Sequence, residues 1–293
     1  MPSQQTRPPR LGFAFTSALP PERLRPLARA VEAAGLDELW VWEDCFTASG
    51  IASAALALGA TERITVGVGL LPVPLRNVAL TAMEFATLER AIPGRLIAGV
   101  GHGVQPWMAQ VGARVESPVT LLREYSTALR RLLDGESVSV EGRYVRLDDV
   151  ALGWPLERRV PLMIGGTGPV TQHLAAELGD GLLLGNTLTL DELDKTAKIA
   201  AADKPLVLTV IVATGEGATA RVNADLLSWR ADADPQRTAY AIAAGDATTV
   251  AAQLNDLARR GVTNIAIEAT RDEPDVDGLI AFLGREVRPL LAG

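Results

Sequence analysis

The sequence predicts a (β/α)8 TIM barrel, an α/β fold, and three observations predict it. Short runs rich in Val, Ile and Leu alternate along the chain with longer amphipathic stretches. Most of these runs are apolar at nearly every position, which is the pattern of a parallel strand buried on both faces. The length, 293 residues with 48% hydrophobic and 22% charged side chains, supplies one large core and rules out disorder for the bulk of the chain. We therefore expect one domain over residues 1–293, with residues 1–9 as a flexible N-terminal tail. A doubly wound open sheet would need edge strands, and none of the runs reads as one.

The expected strands, in order, are Leu11–Phe15, Glu38–Trp42, Ile64–Gly69, Leu96–Val100, Pro161–Ile164, Gly181–Leu184, Leu206–Val212 and Thr263–Glu268. Helices between them show recognisable ends. Pro20–Ala34 stops at Gly35, a left-handed C-cap. Ser117-Pro118 is a cap-and-first-turn pair, followed by Leu121, Leu122, Tyr125, Leu129, Leu132 and Leu133 on one face. Asp246–Arg260 stops at Gly261, and Asp275–Val287 closes the pattern. Two interruptions break the repeat. Ser137–Arg146, alternating around Glu141-Gly142-Arg143, reads as a hairpin, and Gly215–Ala244 reads as an extra helical excursion.

Composition narrows the function. A balance of 28 basic against 35 acidic residues, net −7, with no Lys/Arg cluster longer than a pair, argues against a nucleic-acid partner. The apolar runs, such as Ile51–Ala60, fall well short of the ~20 residues a membrane helix needs. A single cysteine, Cys45, cannot form an internal disulfide, which fits a reducing cytosol. The expectation is a soluble cytoplasmic protein with no membrane partner. One cysteine and two separated histidines give no cluster at ligand spacing, so no metal site is expected.

In a barrel, chemistry gathers where strands end. After the fifth expected strand, Gly165, Gly166 and Gly168 free the backbone, Thr167 adds a hydroxyl, and a helix opens at Pro169. Its N–H groups can hold a phosphate without a lysine, or the stretch is a plain tight turn. After the fourth, Gly101-His102-Gly103 can accept a ring or phosphate, and His102 can donate a proton or simply occupy an exposed turn. His173, inside a helix, reads as a surface residue. Asp44, beside Trp40, Trp42 and Phe46, is either a partly desolvated general acid or a loop cap. Cys45 reads as a small apolar residue rather than a nucleophile.

Several longer motifs resemble one family. Leu39–Phe46, Arg63–Arg76, Ala86–Gly103 with Pro93-Gly94-Arg95, Gly135–Tyr144, and Pro161–Gly181 ending in Gly179-Asp180-Gly181 are similar to the bacterial-luciferase-like flavin and deazaflavin oxidoreductases. The likeness is to the coenzyme F420-dependent branch, which includes methylenetetrahydromethanopterin reductase and F420-dependent glucose-6-phosphate dehydrogenase. It implies a bulged third strand with a non-proline cis bond at Gly69–Leu70 backing the cofactor ring. It also implies phosphate-binding backbone at Gly165, Gly166, Thr167, Gly168 and Pro169, and cofactor contact at Gly101, His102 and Gly103. Two departures matter: Asp44-Cys45 stands where relatives have Asp-His, and Val104 where some have an acid. The histidine and glutamate roles therefore do not carry over, and neither a sugar phosphate nor a pterin is implied as substrate.

The leading expectation is an F420-dependent hydride-transfer oxidoreductase acting on a small organic molecule. Asp44 or His102 would handle the proton, and Trp42, Cys45, Trp107 and Asn186 would line the substrate side or serve structure. An FMN-dependent monooxygenase, fed by a separate reductase, is the alternative. A cofactor-free binding barrel is the third reading. A homodimer is expected.

Overall fold

A computed structural model describes residues 8–200 and 203–292. Residues 1–7 of the expected tail lie outside the described residues. Pro8 is exposed and Pro9 buried, and the next N–H, of Arg10, already donates to the Thr263 carbonyl at 2.9 Å.

Among the described residues the strands are β1 (Arg10–Phe15), β2 (Glu38–Val41), β3 (Thr65–Val68), β4 (Leu71–Pro72), β5 (Leu96–Gly101), β6 (Val138–Glu141), β7 (Arg146–Val150), β8 (Leu162–Gly165), β9 (Gly181–Leu184), β10 (Leu206–Ala213), β11 (Ile242–Ala244) and β12 (Asn264–Ala269). The fold class is the closed parallel eight-stranded barrel with surrounding helices. Each of the eight expected strands is present, with no end displaced by more than one residue. Two compact units are distinguished, one running Val41–Leu183 and the other made of the segments up to Trp40 and from Leu184 onward.

In the central unit, β3, β5, β8 and β9 pair in parallel. The third strand is bulged. Gly67 faces Ile97, but Leu71 of β4 faces Val100, so four steps on one side match three on the other. The Gly69–Leu70 peptide within this bulge is cis. The hairpin read around Gly142 is β6–β7, with Glu141 opposite Arg146. Ser117 sits at the N-cap of helix Pro118–Leu133 but does not cap it, because its Oγ is engaged with Thr120 Oγ1 at 2.8 Å.

In the other unit, β11, β10, β12, β1 and β2 form the ladder. Every residue of β10 is buried. The stretch read as purely helical contains helix Ala218–Trp229 and also β11, which pairs in parallel with Ile211–Ala213. That correction has a simple cause: three residues, Ile-Ala-Ala, carry too little β signal to stand out. Helix Leu24–Ala33 ends before Gly35, whose φ of +76° is the left-handed conformation expected of it.

Within this second unit, Glu38 is fully buried and accepts from Arg10 Nε (2.6 Å), Trp40 Nε1 (2.8 Å) and Asn264 Nδ2 (2.6 Å). Asn264 lies on β12 and Glu38 on β2, with β1 between them. Gly12 of β1 makes that reach possible, since a Cβ there would stand 2.9 Å from Glu38 Cβ. Side chains meet across an intervening strand on the concave face of a curved sheet, so alternation places Asn264, Ala266 and Glu268 of β12 on that face.

Candidate active site at the strand ends

In the central unit the bulge determines what the glycines do. Gly101 and Gly165 are register partners on β5 and β8. A Cβ on Gly101 would come within 2.5 Å of Leu70 Cδ2, and one on Gly165 would run into the same methyl. Two residues earlier on β5, a Cβ on Gly99 would strike the Val68 carbonyl. The bulge therefore needs glycine beneath it, and Leu70 fills the space their side chains would take. Gly166 is likewise occupied, because a Cβ there would meet Thr171. Gly103 needs glycine for its backbone, at φ +68°.

These contacts correct part of the sequence reading. Gly165 and Gly166 serve close approach of the chain to itself. The position that is open is Gly168, with nothing within 4 Å of where a Cβ would stand. It is the N-cap of helix Pro169–Leu178, offers no side-chain cap, and is followed by Pro169 at the first turn. Thr167, Gly168 and Pro169 are all exposed. The first-turn N–H groups of this helix thus face outward without a protein acceptor from a cap, the arrangement that favours an anion.

His102 lies beside that helix start. Its Nε2 shares a hydrogen bond with Thr171 Oγ1 at 2.9 Å, and its Nδ1 is buried without a hydrogen-bond partner. Burial holds the imidazole below its ordinary pKa, with the Pro118 carbonyl pulling the other way. It is half-buried and neutral at physiological pH, so the exposed-turn reading does not apply.

Asp44 follows β2, and its carbonyl accepts from Thr47 N at 2.7 Å and Ala48 N at 3.2 Å. Phe46 is 64% exposed, and the Trp40 indole is committed to Glu38. The Cys45–Phe46 peptide is also cis. Burial, then the charges of Glu43 and Asp44, push the Cys45 thiol up, in keeping with an unreactive cysteine. Trp42 and Trp107 are half-buried, the latter on the short helix Gln105–Gln110.

Sequence reading missed Glu43. Its side chain is 8% exposed, pairs with Arg76 Nη2 at 3.1 Å and accepts from Gly50 N at 3.0 Å. Arg76 also faces Glu84 at 3.4 Å, whose carboxyl burial holds above its usual range. The motif Arg63–Arg76 contained one partner, but nothing local links residues 33 apart.

In the other unit, Asn186 follows β9 and donates from Nδ2 to Glu268 Oε2 at 2.6 Å. Glu268, 6% exposed near the C-terminal end of β12, was read only as the last residue of a strand. Among the described residues no group of three or more His, Cys, Asp and Glu could hold a metal ion, and no helix is long and apolar enough to cross a membrane.

The chain is similar to the 5,10-methylenetetrahydromethanopterin reductase of Methanolobus tindarius, 28% identical over 193 residues that cover 66% of this chain and 59% of that protein. It is similar to the F420-dependent glucose-6-phosphate dehydrogenase of Mycobacterium avium, 31% identical over 212 residues that cover 66% of this chain and 63% of that one. The chain thus spans about three fifths of the length of the curated relatives it matches. Among solved structures, the oxygenating constituent of 3,6-diketocamphane monooxygenase from Pseudomonas putida, in complex with FMN, shares the fold. Its TM-score is 0.77 at 17% identity, covering 97% of this chain and 98% of that one. A family model, luciferase-like monooxygenase, matches residues 5–216. With more than half of its length so matched, the chain belongs to the luciferase-like monooxygenase family.

Proposed function

We propose that the protein is an F420-dependent oxidoreductase that transfers a hydride between the deazaflavin and a small organic substrate, as one catalytic domain. The observation that carries this reading is the uncapped amino end of helix Pro169–Leu178, beside half-buried His102 and next to the bulge at Leu70. The residues present fit the cofactor. The open N-cap at Gly168 and the N–H groups behind it would hold its phosphate. Leu70, seated over Gly101 and Gly165, would back the ring, and His102 would meet it with a neutral imidazole. When bound, the cofactor supplies the hydride chemistry; the protein supplies placement and electrostatics. Of the relatives named above, one is named an F420-dependent dehydrogenase of glucose 6-phosphate and the other a reductase of methylenetetrahydromethanopterin, so both names are of redox enzymes on different substrates and one carries the cofactor.

Asp44 or His102 would handle the accompanying proton, with Trp42, Cys45, Trp107 and Asn186 toward the substrate. The protein would act in the cytoplasm as a homodimer, which the exposed Leu56, Leu80 and Met83 on helices Gly50–Leu58 and Val78–Ala91 support. The second reading is an FMN-dependent monooxygenase supplied by a separate reductase, favoured by the FMN-bound structural neighbour. Fluorescence titration of the protein with F420 and with FMN separates them. Saturable F420 binding is expected, and FMN binding without F420 affinity would reverse the order.

A further inference from the structure

A cavity of about 190 Å³ lies where the first turns of helices Val78–Ala91 and Pro118–Leu133 meet the β6–β7 hairpin. All of its lining falls within the central unit. An apolar cavity of about 150 Å³ is enough to admit benzene, so this one has room for a single ring with a small substituent. The buried part of the lining is Val73, Val78, Leu121, Tyr125 and Val145. The polar side chains that remain at the cavity are donors. Tyr125 spends its hydroxyl hydrogen on Thr81 Oγ1 at 2.6 Å. The Tyr144 hydroxyl accepts from Ser117 N at 2.9 Å, which leaves its own hydrogen to give. Asn77 Oδ1 is taken by Ala79 N at 2.9 Å, which leaves the Nδ2 donors. Arg76 and Arg146 bring guanidinium groups, which can only donate. No carboxylate is among the lining residues.

Charge points the same way. Arg76 is balanced by Glu43 at 3.1 Å and Glu84 at 3.4 Å, and burial holds the Glu84 carboxyl above its usual range. Glu124 is spent on the backbone N–H groups of Arg143, Tyr144 and Val145. Arg146 has no ion-pair partner among the described residues, and Glu141, opposite it in the hairpin register, does not pair with it. The cavity thus carries one unbalanced guanidinium at its exposed side and one balanced guanidinium further in.

We infer that this cavity is a binding site for a small aromatic carboxylate, whose ring lies among Val73, Val78, Leu121 and Tyr125 and whose carboxylate accepts from Arg146, Arg76 and Asn77 Nδ2. The guanidinium fork matches the two oxygens of a carboxylate. A neutral ring gives those donors a weaker acceptor, and a cationic one meets two like charges. The site shares no lining residue with the cofactor contacts proposed above. It goes beyond the oxidoreductase reading and does not depend on it.

The test measures binding to the full chain by ligand-observed NMR, with benzoate, benzamide and benzylammonium as probes of one ring and three charges. Wild type should bind benzoate at least about tenfold more tightly than benzamide, the scale of one hydrogen bond to a charged group, with benzylammonium weakest. Arg146 is exposed, so Arg146→Gln removes the charge without touching the core. It should weaken benzoate by about tenfold and leave benzamide within about twofold of wild type. Val115 is half-buried in the lining, and Val115→Trp should fill the cavity and abolish binding of both. Its melting temperature is read alongside, and Arg146→Gln decides the matter if Val115→Trp does not fold. Equal affinity for benzoate and benzamide in wild type, no saturable benzoate binding, or undiminished benzoate binding in Arg146→Gln or in folded Val115→Trp overturns the assignment.

Discussion

At its N-terminal end β12 offers Asn264 to Glu38, and at its C-terminal end it offers Glu268 to Asn186. Both carboxylates are buried and both face the concave side of the sheet. Glu38 is well served: Arg10, Trp40 and Asn264 all donate to it. Near Glu268 the account is incomplete, since Thr270 two residues on keeps a buried hydroxyl that nothing in the described chain satisfies. A polar group whose needs the fold meets in full is there for the fold. At the strand's C-terminal end, where barrels work, one polar group is left unmet.

The largest expected effect breaks the well-served end. Glu38→Ala strips the acceptor from three donors, two of them on buried side chains, and should lower unfolding free energy by about 3–5 kcal/mol. Denaturant titration reads this directly. Against it, Glu268→Gln should cost at most about 1 kcal/mol, because a neutral acceptor remains for Asn186. If the two substitutions cost the same, the contrast between the strand's two ends is lost.

The glycines of the central unit sort the same way, into filled and open. Gly165→Ala drives a methyl into Leu70 and should cost about 1–3 kcal/mol, as overpacking does. Adding Leu70→Ala should return much of that loss, since the two groups compete for one space. Additive losses in the double variant would mean that Leu70 is not what Gly165 accommodates. Gly168→Asp tests the open position. Its backbone, φ −79° and ψ 145°, suits an aspartate N-cap. Stability should rise by about 0.5 kcal/mol as the helix gains a cap. F420 affinity should fall by roughly tenfold or more, because the new carboxylate competes for the amides that would hold phosphate. A stabilised variant with unchanged cofactor affinity would place the phosphate elsewhere.

Much of this was legible in the chain, and the part that was not has one cause. Buried parallel strands announce themselves as apolar runs, so all eight were readable, and Gly35 marked a helix end because only a left-handed residue stops it there. The run Gly165–Pro169 was readable as a strand-to-helix turn. Whether each glycine there faces a ligand or its own chain was not, because Leu70 is 95 positions from Gly165. Glu43 with Arg76 and Asn186 with Glu268 are pairs of the same kind, 33 and 82 residues apart. Their meaning arises only when strands bring them together. β11 escaped for a different reason, being too short to carry a pattern.

The smallest effect concerns His102, whose Nδ1 is the central unit's counterpart of the Thr270 hydroxyl: buried and without a hydrogen-bond partner. Burial holds its folded pKa below the unfolded value near 6.5, so the unfolded chain binds the proton more readily. The contribution to stability is complete above the unfolded value and is lost as pH falls toward the folded one. Wild type should therefore weaken between pH 7 and pH 5, and His102→Asn should show a shallower decline. Carboxylates change in both proteins alike and cancel in the difference. His173, the other histidine, is exposed on helix Pro169–Leu178 and unaltered in the comparison. If added F420 restores the wild-type stability at pH 5 but leaves His102→Asn unmoved, the ring nitrogen has found its partner in the cofactor. If it rescues both equally, His102 serves only to pin Thr171 and the helix that follows.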